Sequence, residues 1–119
     1  MIYWQNKWRE IVFNKIYGFL GLAAKAGQVV SGDDTCERAI RSGKAKLVIV
    51  AEDATDNTKK KFNNICMHKK VDIVFYGKKE LLGKYIGKDV RSVLTITNEG
   101  FAARLRELTQ SSRVENGGE

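Results

Sequence analysis

Apolar positions along the chain alternate between two periods. From Trp8 they recur at Val12, Ile16, Phe19, Leu20 and Ala23, spacings of three and four that predict an amphipathic helix running to about Lys25 and closed by Gly27. Val29-Val30 then suits a short buried strand, and Ser31-Gly32 a turn whose backbone is free to approach another molecule. Cys36, Ala39 and Ile40 fall at i, i+3 and i+4, the apolar stripe of a helix that Gly43 ends. Ser31 and Asp34 stand three apart before it, like a weak capping box. Leu47-Val48-Ile49-Val50-Ala51 is a continuous apolar run of strand length, as expected for a central strand buried on both faces.

The alternation continues to the end of the chain. A polar turn over Ala54 to Asn57, capped by Thr55, Asp56 or Asn57, opens a helix whose stripe is Phe62, Ile65, Cys66 and the stem of Lys69. Val71 to Tyr76 reads as a strand, Lys79 to Ile86 as a short helix and Val93 to Ile96 as a fourth strand. Asn98 caps a last helix carrying Phe101, Leu105 and Leu108. The order αβαβαβαβα calls for an α/β fold with helices on both faces of a sheet, a three-layer α/β/α sandwich with a four-stranded mixed sheet and about five helices. Residues 1–109 form one expected domain, and the polar, glycine-ended stretch Gln110 to Glu119 is an expected disordered tail.

Charge narrows the class of partner. Lys and Arg total 21 against 14 Asp and Glu, a formal net charge of +7, which is the footprint of a polyanion binder. Many soluble proteins are basic, so this speaks of association and not of fold. Cys36 and Cys66 occupy apolar helical positions as small hydrophobes, which fits a reduced cytoplasmic setting. With His68 as the single histidine they make no zinc pattern, so neither a metal nor another cofactor is expected. No apolar run approaches the roughly 18 residues of a membrane span, and Lys7, Arg9 and Glu10 lie where a secretory signal needs an uncharged core. Trp4 and Trp8 read as a buried aromatic stripe and receive no function.

Several groupings carry candidate chemistry. Asp34, Arg38 and Arg41 are spaced i, i+4 and i+7, so a carboxylate and two guanidiniums share an exposed ridge beside the Ser31-Gly32 turn. Lys59-Lys60-Lys61 offers charge to phosphates, but such a run on an amphipathic helix is usually its solvated face, and it ranks second to the ridge. Gly-Lys dipeptides occur at Gly43, Gly77, Gly83 and Gly87; none forms a Walker loop, because five residues separate Gly77 from Gly83 and Tyr85 stands where Ser or Thr would bind the metal. Glu52-Asp53, after the central strand, either holds magnesium at a nucleotide site or caps a helix. No nucleophile, base and orienter set can be assembled with one histidine, so the chain is not expected to be an enzyme.

The segments GFLGLAAKAGQVVSG, AIRSGKAKLVIVAEDATDNTKKKF, KELLG at Lys79 to Gly83 and ITNEGFA together resemble the ribosomal protein L7Ae/L30e superfamily, nearest to its bacterial YlxQ-like members. The likeness covers about Gly18 to Leu105 and leaves out most of Met1 to Tyr17. It implies the same α/β/α sandwich, a ribosome-associated setting and binding to kink-turn RNA, in which tandem sheared G·A pairs flank a bulged, sharply bent helix. The family pattern at the glycine turn is glycine, any residue, Asn-Glu, two residues, lysine. Here Gly32 matches and Arg38 keeps the charge of the lysine, while Asp34 and Thr35 stand for the amide and carboxylate that read guanines.

Asp34 still accepts hydrogen bonds from base amino groups, whereas Thr35 is shorter and uncharged. Lys79 matches the lysine before the fourth helix that approaches the RNA backbone. Lys88-Asp89-Val90-Arg91 stands where the family loop packs over a flipped-out nucleotide, one residue shorter and without Ser-Arg-Pro. Val90 has two readings, a base-packing side chain or a core residue at the start of a strand. The implied site is thus Gly32, Asp34, Thr35, Arg38, Arg41, Lys79, Val90 and Arg91, on a monomer that binds RNA with no membrane partner. The alternative function is a ribosome- or protein-associated adaptor of the same fold that has lost kink-turn base reading.

Overall fold

The structure, a computed structural model, describes residues 15–117, with side chains through Gln110. The stretch from Trp8 to Asn14 of the first expected helix, and Trp4, lie outside the described residues. Within them α1 covers residues 15–25, followed by β1 (Val29–Ser31), α2 (Asp33–Arg41), β2 (Leu47–Val50), α3 (Asp56–Lys69), β3 (Asp72–Phe75), α4 (Lys79–Tyr85), β4 (Val93–Ile96) and α5 (Glu99–Gly117). The expected order of elements holds throughout this range, with strand and helix ends moved by a residue or so.

The four strands form one mixed sheet in the order β1-β4-β2-β3. β2 and β3 run parallel, while β4 lies antiparallel to both β1 and β2. Every residue of β2 is buried, as its unbroken apolar run requires of a central strand, and the other interior strand, β4, is buried in the same way. The edge strands β1 and β3 are half-buried for most of their length. α2 and α3 pack side by side on one face. On the other, α1 holds α5 through Phe19 and Phe101, ring centroids 5.2 Å apart, and α4 through Tyr17 and Tyr85 at 4.9 Å. Ile16, Leu20, Leu82 and Leu105 fill that layer with no exposed surface, each stabilising the fold by about 1.5–3 kcal/mol relative to an exposed side chain.

Two helix starts follow the sequence and one does not. Thr55 Oγ1 accepts the backbone N–H of Thr58 at 3.2 Å, and Asn98 Oδ1 accepts that of Phe101 at 3.1 Å, so both residues act as caps. The capping box expected from Ser31 and Asp34 is absent. The N-cap of α2 is Gly32, with no side-chain hydrogen bond, at φ 94° and ψ 154°, a conformation that is essentially glycine's alone. That turn falls one residue later than the capping box needs; it leaves Ser31 in β1, paired with Leu94, and puts Asp34 in the first turn of α2. At the other end of the chain α5 continues past Leu108, its last apolar stripe position, into the stretch assigned to the tail, where the first glycine is Gly117.

Candidate nucleic-acid interface

The mixed sheet brings four connections to one end. Gly32 follows β1, Glu52-Asp53 follows β2, Gly77-Lys78 follows β3, and Arg91-Ser92 leads into β4. Backbone hydrogen bonds stitch them together: Gly32 N–H to Val93 O at 3.1 Å, Ala51 N–H to Ser92 O at 2.8 Å, Glu52 N–H to Gly77 O at 2.8 Å and Arg91 N–H to Lys79 O at 3.0 Å. Asp53 Oδ1 accepts the N–H of Lys79 at 2.9 Å and so caps α4 from a neighbouring loop. Of the two readings of Glu52-Asp53, the structure therefore gives Asp53 the cap. Among the described residues no group of three or more His, Cys, Asp or Glu side chains is placed to hold a metal.

A groove of about 340 Å³ opens at this end, lined by Ser31, Gly32 and Asp33, by Val90 to Val93, and by Thr58 of α3. The Arg91 guanidinium spans it, donating from Nε to Ser31 Oγ at 3.0 Å and from one terminal nitrogen to Val90 O at 3.0 Å. Gly32, Val90 and Arg91 of the sequence-derived site thus meet in one place, and Lys79 is tied to them through Arg91. Val90 is 50% exposed, so it is no strand-start core residue; that position belongs to Val93, which is buried. Asp34, Thr35 and Arg38 follow directly on α2, Asp34 and Arg38 exposed and Thr35 half-buried. Arg41 shares their ridge but lies about 10 Å along the axis from Asp34 at ~1.5 Å per residue, and its Nε is held by Glu37 Oε2 at 2.9 Å.

Several contributors were not found by sequence reasoning. Thr58 and Ser92 bring hydroxyls to the groove from positions to which the sequence pattern assigns no role in binding. Lys61, read as part of a solvated run, instead bonds Asp33 Oδ1 and, at 2.9 Å, Glu37 Oε1. Those contacts raise the lysine pKa, the Asp33 bond contributing most, while Lys61 and then Arg41 hold the Glu37 carboxyl below its usual range. Gly83 is the fourth. A Cβ on it would stand 1.6 Å from Asp89 O, so the loop carrying Val90 and Arg91 rests directly on the α4 backbone. The isolated glycine inside the KELLG helix was the available signal for such a close approach.

Behind the groove Cys36 Sγ lies 3.6 Å from both Val30 O and Val93 O, within donating reach of each. Burial pushes its pKa up to about 11, and does the same for Cys66. Both thiols are free, buried and protonated at neutral pH. Among the described residues no helix is long and apolar enough to cross a membrane.

Comparison with known proteins places these features in context. Residues 14–106 match the family described as Ribosomal protein L7Ae/L30e/S12e/Gadd45. The RNA-binding protein YlxQ of Bacillus subtilis (strain 168) is 42% identical over 92 residues, which are 77% of this chain and 92% of that protein. The large ribosomal subunit protein eL8 of Cenarchaeum symbiosum (strain A) is 30% identical over 107 residues, 89% of this chain and 85% of that one. Among solved structures, a protein of unknown function from Bacillus halodurans C superposes with a TM-score of 0.78 at 34% identity, covering 81% of this chain and 97% of that one.

Proposed function

The chain belongs to the ribosomal protein L7Ae/L30e/S12e/Gadd45 family, and from that premise we propose that it is a non-enzymatic, ribosome-associated RNA-binding protein that recognises a kink-turn or similarly bent, bulged RNA. The observation that carries the reading is the groove in which the Gly32 turn and the Val90-Arg91 loop face each other across the Arg91–Ser31 hydrogen bond. Shape-specific RNA recognition needs phosphate contacts for register and short polar groups for base edges, and both kinds of group lie at this edge.

Arg38 and Lys79 take the phosphate backbone. Neither has an ion-pair partner among the described residues. Asp34 accepts hydrogen bonds from base amino groups, with Thr35 beside it. The exposed Val90 methyls and the Arg91 guanidinium plane pack on an unstacked base. The hydroxyls of Ser92 and Thr58 supply further hydrogen bonds within the groove. The test is a titration of a kink-turn RNA against a copy whose sheared G·A pairs are restored to Watson-Crick pairs. A marked preference for the kinked form is expected; equal affinity for the two would favour an adaptor of the same fold that no longer reads the kink.

A further inference from the structure

The helix assigned to RNA is acidic taken by itself. Asp33, Asp34 and Glu37 face Arg38 and Arg41, three carboxylates against two guanidiniums, for a net charge of −1 on α2. The carboxylates do not lie together. Asp34 shares the outer ridge with Arg38 and Arg41, whereas Asp33 and Glu37 occupy the flank toward α3, where one ammonium group, Lys61 Nζ, bonds both. Glu37 also holds Arg41 at 2.9 Å, so one network runs from the first turn of α2 to its last.

We propose that Lys61 is a positioning residue for RNA binding: it keeps the Asp33 and Glu37 carboxylates on the α3 flank of α2, out of the groove and off the ridge where phosphates approach. This rests on the RNA-binding reading of the edge. Asp33 itself lines the groove, and once released its side chain is free to turn a negative charge into the space a phosphate strand would occupy. Lys61 lies in α3, one helical turn beyond Thr58, and reaches across to α2 at a sequence separation of 28. Lys61 and Glu37 shift in the directions that their mutual bonding requires, the lysine raised and the carboxyl lowered. Surface ion pairs contribute little to stability, so holding the fold together is not a sufficient reason for the arrangement.

The test is a double-mutant cycle on kink-turn RNA, with K61M measured in the wild type and in a D33N/E37Q background. A lysine that contacts phosphate, or acts through its charge at a distance, costs the same in both backgrounds, because Coulomb contributions add. A lysine that restrains two carboxylates costs nothing once they are gone. K61M is expected to weaken binding about three- to fivefold in the wild type, the order expected for one carboxylate, that of Asp33, brought to roughly 8–10 Å from phosphates at an effective dielectric between water and protein surface, while Glu37 stays on Arg41. In the D33N/E37Q background the expected loss is less than about twofold.

Equal losses in the two backgrounds, or no loss in the wild type, would overturn the role of Lys61 alone. A wild-type protein that fails to bind the RNA would overturn the RNA reading and this proposal with it. Circular dichroism and a thermal melt accompany each variant, and K61R, which can bridge the same carboxylates, should restore wild-type affinity.

Discussion

Substituting Gly83 by alanine is the sharpest perturbation available at the groove, because it adds one methyl group and touches no functional side chain. An ideal Cβ there lies 1.6 Å from Asp89 O, 2.6 Å from Asp89 C and 3.2 Å from Arg91 N. Ordinary contact begins near 3.4 Å, so the loop backbone must retreat by about 1.8 Å, and no flexible side chain can absorb the change. The hydrogen bonds closing the loop are Ile86 N–H to Gly83 O at 3.2 Å, Lys88 N–H to Gly83 O at 2.9 Å and Arg91 N–H to Lys79 O at 3.0 Å. Losing one or two of them costs about 0.5–1.5 kcal/mol each, and forcing an atom into packed space costs about 1–3 kcal/mol.

We therefore expect urea unfolding to show a loss of roughly 2–4 kcal/mol. Affinity for kink-turn RNA should fall because Val90 and Arg91 no longer face Gly32. Gly18 provides the contrast, since it lies exposed in α1 with nothing within 4 Å of an added Cβ. Alanine there should stabilise by about 0.5–1 kcal/mol, with RNA affinity unchanged. A G83A protein with the wild-type urea midpoint and affinity would refute the claim that this contact sets the loop.

Three further outcomes are expected. Asp34→Ala should cost about 1–3 kcal/mol on kink-turn RNA and little on plain duplex if the carboxylate reads base amino groups, while Arg38→Ala should weaken both modestly; tighter binding of both RNAs to Asp34→Ala would show that base reading at this edge is lost. With Arg38 and Lys79 at phosphates, the slope of log K against log salt should be about −2 by the duplex rule, and Arg41→Ala, whose guanidinium is tied to Glu37, should flatten it less than Arg38→Ala; a flat response in the wild type would remove the electrostatic half of the reading. Because burial holds Cys36 and Cys66 near pKa about 11 against 9.0, iodoacetamide at pH 8 should label the folded protein at least ~100-fold more slowly than the urea-unfolded chain. The protonated thiols contribute stability fully below about pH 9 and lose it as pH rises to about 11, so rapid labelling of the fold at pH 8 would contradict their burial.

The sheet was legible in the sequence because its signals are local. Leu47 to Val50 needs no partner to declare itself a doubly covered strand, and Thr55 and Asn98 mark helix starts within three residues of the amides they cap. Such signals fail where a contact is made at long range. Arg91 meets Ser31 across 60 positions, so the sequence kept Ser31 as a cap for α2 while the fold uses its hydroxyl to hold the opposite loop. Val90 had two readings for the same reason: whether a valine before a strand points in or out depends on where the loop rests, and that is fixed by Gly83, seven residues earlier. The glycine was visible in the sequence; the backbone lying against it was not.

Charge shows the same division on a larger scale. A net charge of +7 points to a polyanion, but it says nothing of where the anion would sit. Several cations at this edge are already engaged. Arg41 is bound to Glu37, Arg91 to Ser31 and the Val90 carbonyl, and Lys61 to two carboxylates, which leaves Arg38 and Lys79 as the site cations without an ion-pair or side-chain hydrogen-bond partner among the described residues. A surface built to hold any nucleic acid by charge alone would exclude carboxylates from the contact helix. Here the helix beside the groove carries more acid than base, and Asp34, on its outer ridge, has no ion-pair or hydrogen-bond partner for its side chain among the described residues. An unpaired carboxylate next to a phosphate is a liability unless it meets a donor, and on RNA the donors within reach of such an edge are base amino groups and ribose hydroxyls. If Asp34 meets such a donor, affinity for unstructured polyanions is a poor measure of what this edge does, and the comparison of kinked with plain RNA is the informative one.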